Sequence, residues 1–172
     1  DHLHGHFYFA DLHTPDLDAS ADFYSKLLGW TMQEVPGSPH GYRMASVEDR
    51  SKAALTGFSD EERSSGSPAY WFPYLQVQDA DAIAAKVAEL GGTVGMQPMD
   101  VFGVGRMATM QDPSGAHLGI WQDHLTRTTV KDEHGSLVWF EQHSSDVEAS
   151  MAFYEALVGW KRVANPMGPD FT

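Results

Sequence analysis

The chain has no cysteine, and only 11 lysines and arginines stand against 24 aspartates and glutamates in its 172 residues. Without thiols there is no disulfide, no thiolate nucleophile and no thiolate-held metal. Any chemistry therefore falls to His, carboxylates, Tyr, Ser, Arg or a recruited cofactor. The net charge of −13 repels nucleic-acid phosphates and anionic lipid, so nucleic acid is excluded as a partner. No run approaches the ~20 apolar residues of a membrane span, which excludes the membrane as well. There is no signal-peptide pattern, and a cytoplasmic protein is expected. Nucleotide and nucleophile motifs are missing too. Gly103-Val104-Gly105 lacks the third glycine and the strand-to-helix setting of a dinucleotide loop, and Ser114 sits in a turn with no nucleophile elbow around it.

What is present is a globular composition, 42% hydrophobic and 12% aromatic, and an internal repeat. Asp18 to Trp30 reads DASADFYSKLLGW, and Glu148 to Trp160 reads EASMAFYEALVGW. A weaker copy lies between them: Asp16, Asp18, Ala19, Ala21, Leu27 and Gly29 recur as Asp79, Asp81, Ala82, Ala84, Leu90 and Gly92. A repeat fixes the architecture before any single residue is interpreted, and here it gives three related units.

Each unit reads as strand, helix, then strands. In the first, Phe7 to His13 alternates as a strand and an Asp-rich turn at Asp16 and Asp18 offers oxygens to a helix start. Phe23, Tyr24, Leu27 and Leu28 form the packing stripe of that helix, and Gly29 stops it. Met32 to Val35, Tyr42 to Val47 and Lys52 to Phe58 are its later strands. The second unit has Tyr70 to Val77 as strand and a helix with Ile83, Val87 and Leu90 buried. Thr93 to Met96, Arg106 to Gln111 and Ala116 to Gln122 complete it, the last two joined by the Asp112-Pro113-Ser114-Gly115 turn. Ser59 to Pro68 and Asp123 to Gly135 read as linkers. The third unit offers Leu137 to His143 as strand and Glu148 to Val158 as helix.

At the FY-x-x-L-x-GW pattern and the DP-x-G hairpin, the sequence resembles the vicinal oxygen chelate superfamily of glyoxalases, bleomycin-resistance proteins and extradiol dioxygenases. GRMATMQDPSGAHLGIWQ and the linker ending HGSLVW are similar to its tandem glyoxalase-like subgroup, often labelled hydroxylases, in which four units make two domains. The resemblance implies an α+β fold: paired βαβββ modules forming a curved, partly open mixed barrel with helices outside. It implies one complete domain over residues 1–124 (modules 4–58 and 70–122), a linker at 125–135 and the start of a second domain at 136–172. A fourth unit would then follow on a longer polypeptide, a homodimer being the alternative source.

Metal-using members of the superfamily take ligands from the first and last strand of each unit. Those positions fall here on Phe9, near Phe72, on Gly119 and among Leu55, Thr56 and Gly57, none of them suited to an ion. No metal or other cofactor is expected, with Fe, Mn, Ni or Zn held by recruited histidines as the alternative. His2, His4 and His6 alternate at strand spacing and could share a face, or be simply a polar N-terminal segment. Asp11 shares parity with Phe9, and His13 and His117 share it with Phe9 and Gly119. Asp11 with either histidine would make an acid–base pair if within reach; the alternative is rim histidines. Phe7, Phe9, Tyr70, Phe72, Tyr74 and Trp121 have concave-side parity, either as core filling or as walls for an aromatic or polyketide-like ligand. Arg106 would stand at the cleft mouth or on the surface. The expected partner is a small molecule, held by a binding or resistance protein or by a metal-independent enzyme; the alternative is a metal-dependent lyase, isomerase or oxygenase.

Overall fold

Alternating apolar residues at the start of the first and of the second unit become the two central strands of one sheet. In a computed structural model, which describes residues 4–125 and 133–163, β1 (His6–Thr14) runs antiparallel to β5 (Tyr70–Gln76) along their whole length. On its other edge β1 pairs in parallel with β4 (Arg50–Gly57), and β5 pairs in parallel with β8 (His117–Asp123). Outward from β4 come β3 (Tyr42–Val47) and β2 (Thr31–Glu34); outward from β8 come β7 (Gly105–Gln111) and β6 (Thr93–Val101). The result is an open eight-stranded mixed sheet of order β2-β3-β4-β1-β5-β8-β7-β6, with β2 and β6 at its edges. His2, part of the Asp123 to Gly135 linker and the end of the tail after Gly159 lie outside the described residues.

Three helices start in the same way. Asp16, Asp79 and Asp146 each accept a hydrogen bond from the backbone N–H three residues on, opening α1 (Leu17–Leu28), α3 (Ala80–Glu89) and α4 (Val147–Val158). Gly29 and Gly159, both left-handed, stop α1 and α4. Sheet parity then separates two faces. Leu12, Leu55, Leu75 and Ile120 point at the helices and form two buried clusters, one under α1 and one under α3 and α4. Their strand neighbours Asp11, Tyr74 and Trp121 face the other way and leave room for a site.

Three expectations are corrected by the structure. Ser59 to Pro68 is no plain linker: Ser59 and Glu62 form a reciprocal capping box that holds a short helix, α2 (Asp60–Ser65). Leu137 to His143 is not a regular strand. Its counterpart β1 has β4 on one edge and β5 on the other, and without such neighbours an extended segment has no ladder to join. Finally, Phe23 and Leu27 do not pack on the sheet: they are 56% and 60% exposed, while Leu17, Ala21, Tyr24 and Leu28 join the cluster under α1.

Candidate functional site

The concave side of the sheet holds a cavity of about 990 Å³, a size suited to a small organic molecule. Phe7, Phe9, Asp11, Tyr74 and Trp121 line it, five of the ten candidates read from the sequence. Phe7 also stacks on Phe140 at 4.6 Å between ring centroids and meets Trp160 edge-on. Tyr8, Met44, Phe102 and Met107 add apolar wall that parity alone did not single out.

At the floor, Asp11 is buried and both its carboxyl oxygens are engaged. The Tyr42 hydroxyl donates to Oδ1 at 2.8 Å and the Tyr74 hydroxyl to Oδ2 at 2.9 Å. Burial raises the Asp11 pKa by more than the two tyrosine bonds and the nearby His13 lower it. Burial also raises both tyrosine pKa values, Asp11's charge adding to it, so both phenols remain protonated. Tyr74 joins the cluster along the β1–β5 register. Tyr42 reaches it from β3, across the small Ala54 of β4, which is paired with Asp11. That second approach depends on strand order, so sequence reading missed Tyr42 although it placed β3 correctly.

The acid–base pairing of Asp11 with a histidine is not formed. His13 turns to Glu62 of α2, its Nδ1 2.7 Å from Oε1, and stacks on Tyr70 at 4.7 Å. Tyr70 also donates to Glu62 at 2.7 Å, and Phe72 stands edge-on to His13, so Tyr70 and Phe72 serve this cluster and do not line the cavity. His117 is exposed at the start of β8, outside the cavity lining. Arg106 is also outside it. Met107 takes the inward position, so its neighbour turns to the helix face, where Asp81 receives Nε and Nη2 and Asp100 receives Nη1. Of the N-terminal histidines, His4 accepts a bond from the Gln78 N–H, and His6 begins β1.

Burial disfavours the charge of Glu62, but the bonds from Tyr70, Ser59 and His13 outweigh it and hold this carboxyl at about 2 against an ordinary 4.5. A depressed carboxylate pKa adds stability that is present above the unfolded value and lost as pH falls through the folded one. Glu62→Gln is therefore expected to destabilise the chain by about 1–2 kcal/mol at pH 6, the gap closing toward pH 2. Denaturant midpoints at the two pH values measure it; a pH-independent gap would count against this origin.

Across the cavity, Lys52 is buried and donates to Glu133 Oε2 at 2.8 Å and to Ser136 Oγ at 3.1 Å, and Glu133 also pairs with Arg50. Ser136 and Leu137 thereby close over one side of the cavity. The Trp121 indole N–H is buried in the wall without a hydrogen-bond partner among the described residues. Sequence composition gave no signal for either feature.

A curved open sheet with helices on one face, built from two units of identical element order, can be compared with known proteins. The sequence profile of the Glyoxalase/Bleomycin resistance protein/Dioxygenase superfamily matches residues 5–120. The chain belongs to that superfamily. It is 37% identical over 155 residues to "Putative glyoxylase CFP32" of Mycobacterium tuberculosis, covering 88% of this chain and 59% of that protein. It is 38% identical over 162 residues to the anthracycline biosynthesis protein DauV of Streptomyces sp. strain C5, covering 87% of this chain and 58% of that protein. The chain thus spans somewhat under two-thirds of the length of these relatives. Among solved structures, the Mn(II)-bound glyoxalase of Novosphingobium aromaticivorans aligns with a TM-score of 0.60 at 15% identity, over 92% of this chain and 54% of that one. Methylmalonyl-CoA epimerase of Mycobacterium tuberculosis aligns at 0.56 and 14%, over 72% and 91%. These two share the fold.

Members of this superfamily commonly bind a divalent metal, and the described residues at the expected ligand positions do not fit one. Phe9 and Phe72 offer no donor, and the Tyr74 ring lies over Gly119 where a closing-strand ligand would project. Asp11 already accepts from two phenols, and no group of three or more His, Asp or Glu side chains converges among the described residues.

Proposed function

We propose that this superfamily member encloses a flat, aromatic, oxygen-bearing metabolite in its cavity, without a metal, as a binding or resistance protein or as an enzyme using acid–base chemistry. The observation that carries the reading is the Asp11–Tyr42–Tyr74 cluster at the floor of an otherwise aromatic and aliphatic cavity. Apolar walls supply affinity for a planar ring system, while the remaining lone pairs of the carboxyl and of the two phenols, whose O–H groups are committed to Asp11, accept from ligand hydroxyls. The unpartnered Trp121 N–H leaves an unmet donor that a ligand oxygen satisfies after a small shift of the indole. Similarity to a protein named for anthracycline biosynthesis supports the ring-system part of the reading.

Titration with a dihydroxyanthraquinone tests it. Saturable one-to-one quenching of tryptophan fluorescence is expected, with a Kd on the order of micromolar and a rise in thermal midpoint, since a ligand bound only by the native state stabilises it. No saturation and no thermal shift with this probe or simpler hydroxyquinones would overturn the proposal. Stoichiometric Fe, Mn, Ni or Zn retained through dialysis would overturn its metal-free part and restore the metal-dependent enzyme.

A further inference from the structure

A strained aromatic stands at one end of the cavity. Of the four non-glycine residues with positive φ among the described residues, His40, Glu48 and Asp49 are polar and Phe102, at +45°, is apolar. Phe102 and Gly103, at +73°, are the two central residues of the turn between β6 and β7, which the Val104 N–H closes onto the Val101 carbonyl at 2.9 Å. Two successive left-handed residues at a hairpin tip call for Asn, Asp or Gly at the first place, because the Cβ of a bulky residue crowds the backbone there. Little burial offsets that strain: Phe102 is 84% exposed. Folding alone disfavours a phenylalanine here, by conformation and by exposure, and strain of this kind points to a use.

Position supplies the use. Phe102 lines the cavity with Val101, Val104 and Met107, so the β6–β7 hairpin forms one of its walls. The corresponding connection of unit one, between β2 and β3, brings Val35, Ser38 and Pro39 to the cavity from the other edge of the sheet. Within this cavity Asp11 and Phe102 are far apart. β7 lies three strands from β1 in the sheet. Asp11 is opposite Phe72, two residues before Tyr74, whereas Gly105 at the hairpin tip is opposite Asp123, four residues after the Gly119 that pairs with Tyr74. At ~4.8 Å per strand and ~3.3 Å per residue, the path between them along the sheet is on the order of 20 Å. A ligand that touches both is therefore elongated.

We propose that Phe102 is a specificity-determining residue whose ring closes on the far end of an elongated, flat polycyclic ligand, the oxygen-bearing end of which lies against Asp11. Given the enclosure proposed above, on which this rests, ligand length becomes a selected property and Phe102 the residue that measures it. A strained turn suits the task. It holds the ring out in water until a ligand face covers it, and the apolar surface left exposed by folding is then buried by binding. A shorter ligand seated on Asp11 leaves the ring uncovered and gains little from it.

The test measures tryptophan quenching and thermal midpoint for the parent chain, Phe102→Asn and Phe102→Tyr, with two probes: a dihydroxytetracenequinone of four fused rings and a hydroxynaphthoquinone of two. Without ligand, Phe102→Asn is expected to raise the midpoint by a few degrees, since asparagine enters the left-handed region more readily. It is expected to weaken the four-ring quinone about tenfold, the upper range for one aromatic stack, and the two-ring quinone only about twofold. Phe102→Tyr is expected to restore most of the affinity. Equal weakening of both probes, undiminished binding of the four-ring quinone, or a midpoint lowered by Phe102→Asn would each overturn the proposal, the last because the ring would then belong to the fold. If the parent binds both quinones and only the Phe102 variants disappoint, enclosure of a flat ligand stands without this residue. If the parent binds neither, enclosure itself fails and the role of Phe102 with it. Protection of Phe102 from hydroxyl radicals that grows with protein concentration in the absence of quinone would assign the ring to a contact between two chains, and would overturn the proposal as well.

Discussion

Replacing Phe153 by Ala is expected to lower the unfolding free energy of residues 1–172 by about 3–5 kcal/mol, whereas Phe23→Ala in the same motif is expected to change it by no more than about 0.5 kcal/mol. The two phenylalanines occupy identical places in EASMAFYEALVGW and DASADFYSKLLGW. What differs is the surroundings. Phe153 fills a core made with Ile83, Val87, Leu157 and Val158, and its ring edge reaches the position where a Cβ on Gly92 would stand. Truncation there removes a large apolar group and leaves a void between α4 and α3, and the Tyr154–Asp112 bond that ties α4 to the β7–β8 turn resists collapse. Phe23 is more than half in water and leaves no void. Leu157→Ala against Leu27→Ala repeats the comparison, with about 2–5 kcal/mol expected for the first. Urea denaturation followed by circular dichroism gives all four values. Equal losses within each pair would mean that the helices are held by their own sequence rather than by what they pack on.

That contrast also shows what a sequence can and cannot reveal about this fold. Periodicity is a local property, and it located α1, α3, α4 and the strands of the sheet to within a few residues, except that β6, expected at Thr93 to Met96, runs on to Val101, with the aspartate caps and the DP-x-G turn as punctuation. It could not tell a stripe that has a partner from one that has none, so Phe23 and Leu27 read as core. The same limit explains Leu137 to His143, whose alternation is that of a strand but which becomes one only beside another strand. Side-chain parity along a single strand placed Phe9, Asp11, Tyr74 and Trp121 in the cavity wall. Arg106, read as standing at the cleft mouth or on the surface, takes the surface place: Met107 holds the inward parity and two acidic residues on neighbouring elements capture the guanidinium. Of the two readings of His13, partner of Asp11 or rim histidine, the first is not met: α2, formed where a linker was expected, brings Glu62 to it. Tyr42 and Lys52 were invisible because their partners come from non-neighbouring strands or from a segment more than eighty residues away.

Asp11→Asn is expected to make the chain more stable at pH 7, by about 1 kcal/mol or a few degrees in thermal midpoint, while weakening the binding of a hydroxyquinone about ten- to hundred-fold. The sign follows from the raised pKa. The unfolded chain loses this proton near 3.8 and the folded chain only at higher pH, so between the two values the native state holds more protons. Raising the pH through that window therefore favours unfolding, so above it the buried carboxyl costs stability despite its two phenol bonds. Asparagine has nearly the same shape and no charge. It keeps one oxygen for one tyrosine and turns an N–H toward the other, whose hydroxyl can rotate to accept or to face the cavity. The midpoint of Asp11→Asn should thus lack the decline with pH that is expected of the parent above 3.8. A carboxyl retained where its amide would be more stable is what a binding or catalytic role demands, since function holds groups in places that folding alone disfavours. Unaltered binding, or an amide variant less stable at neutral pH, would reduce Asp11 to an anchor for two tyrosines and move the recognition of ligand oxygen elsewhere in the cavity.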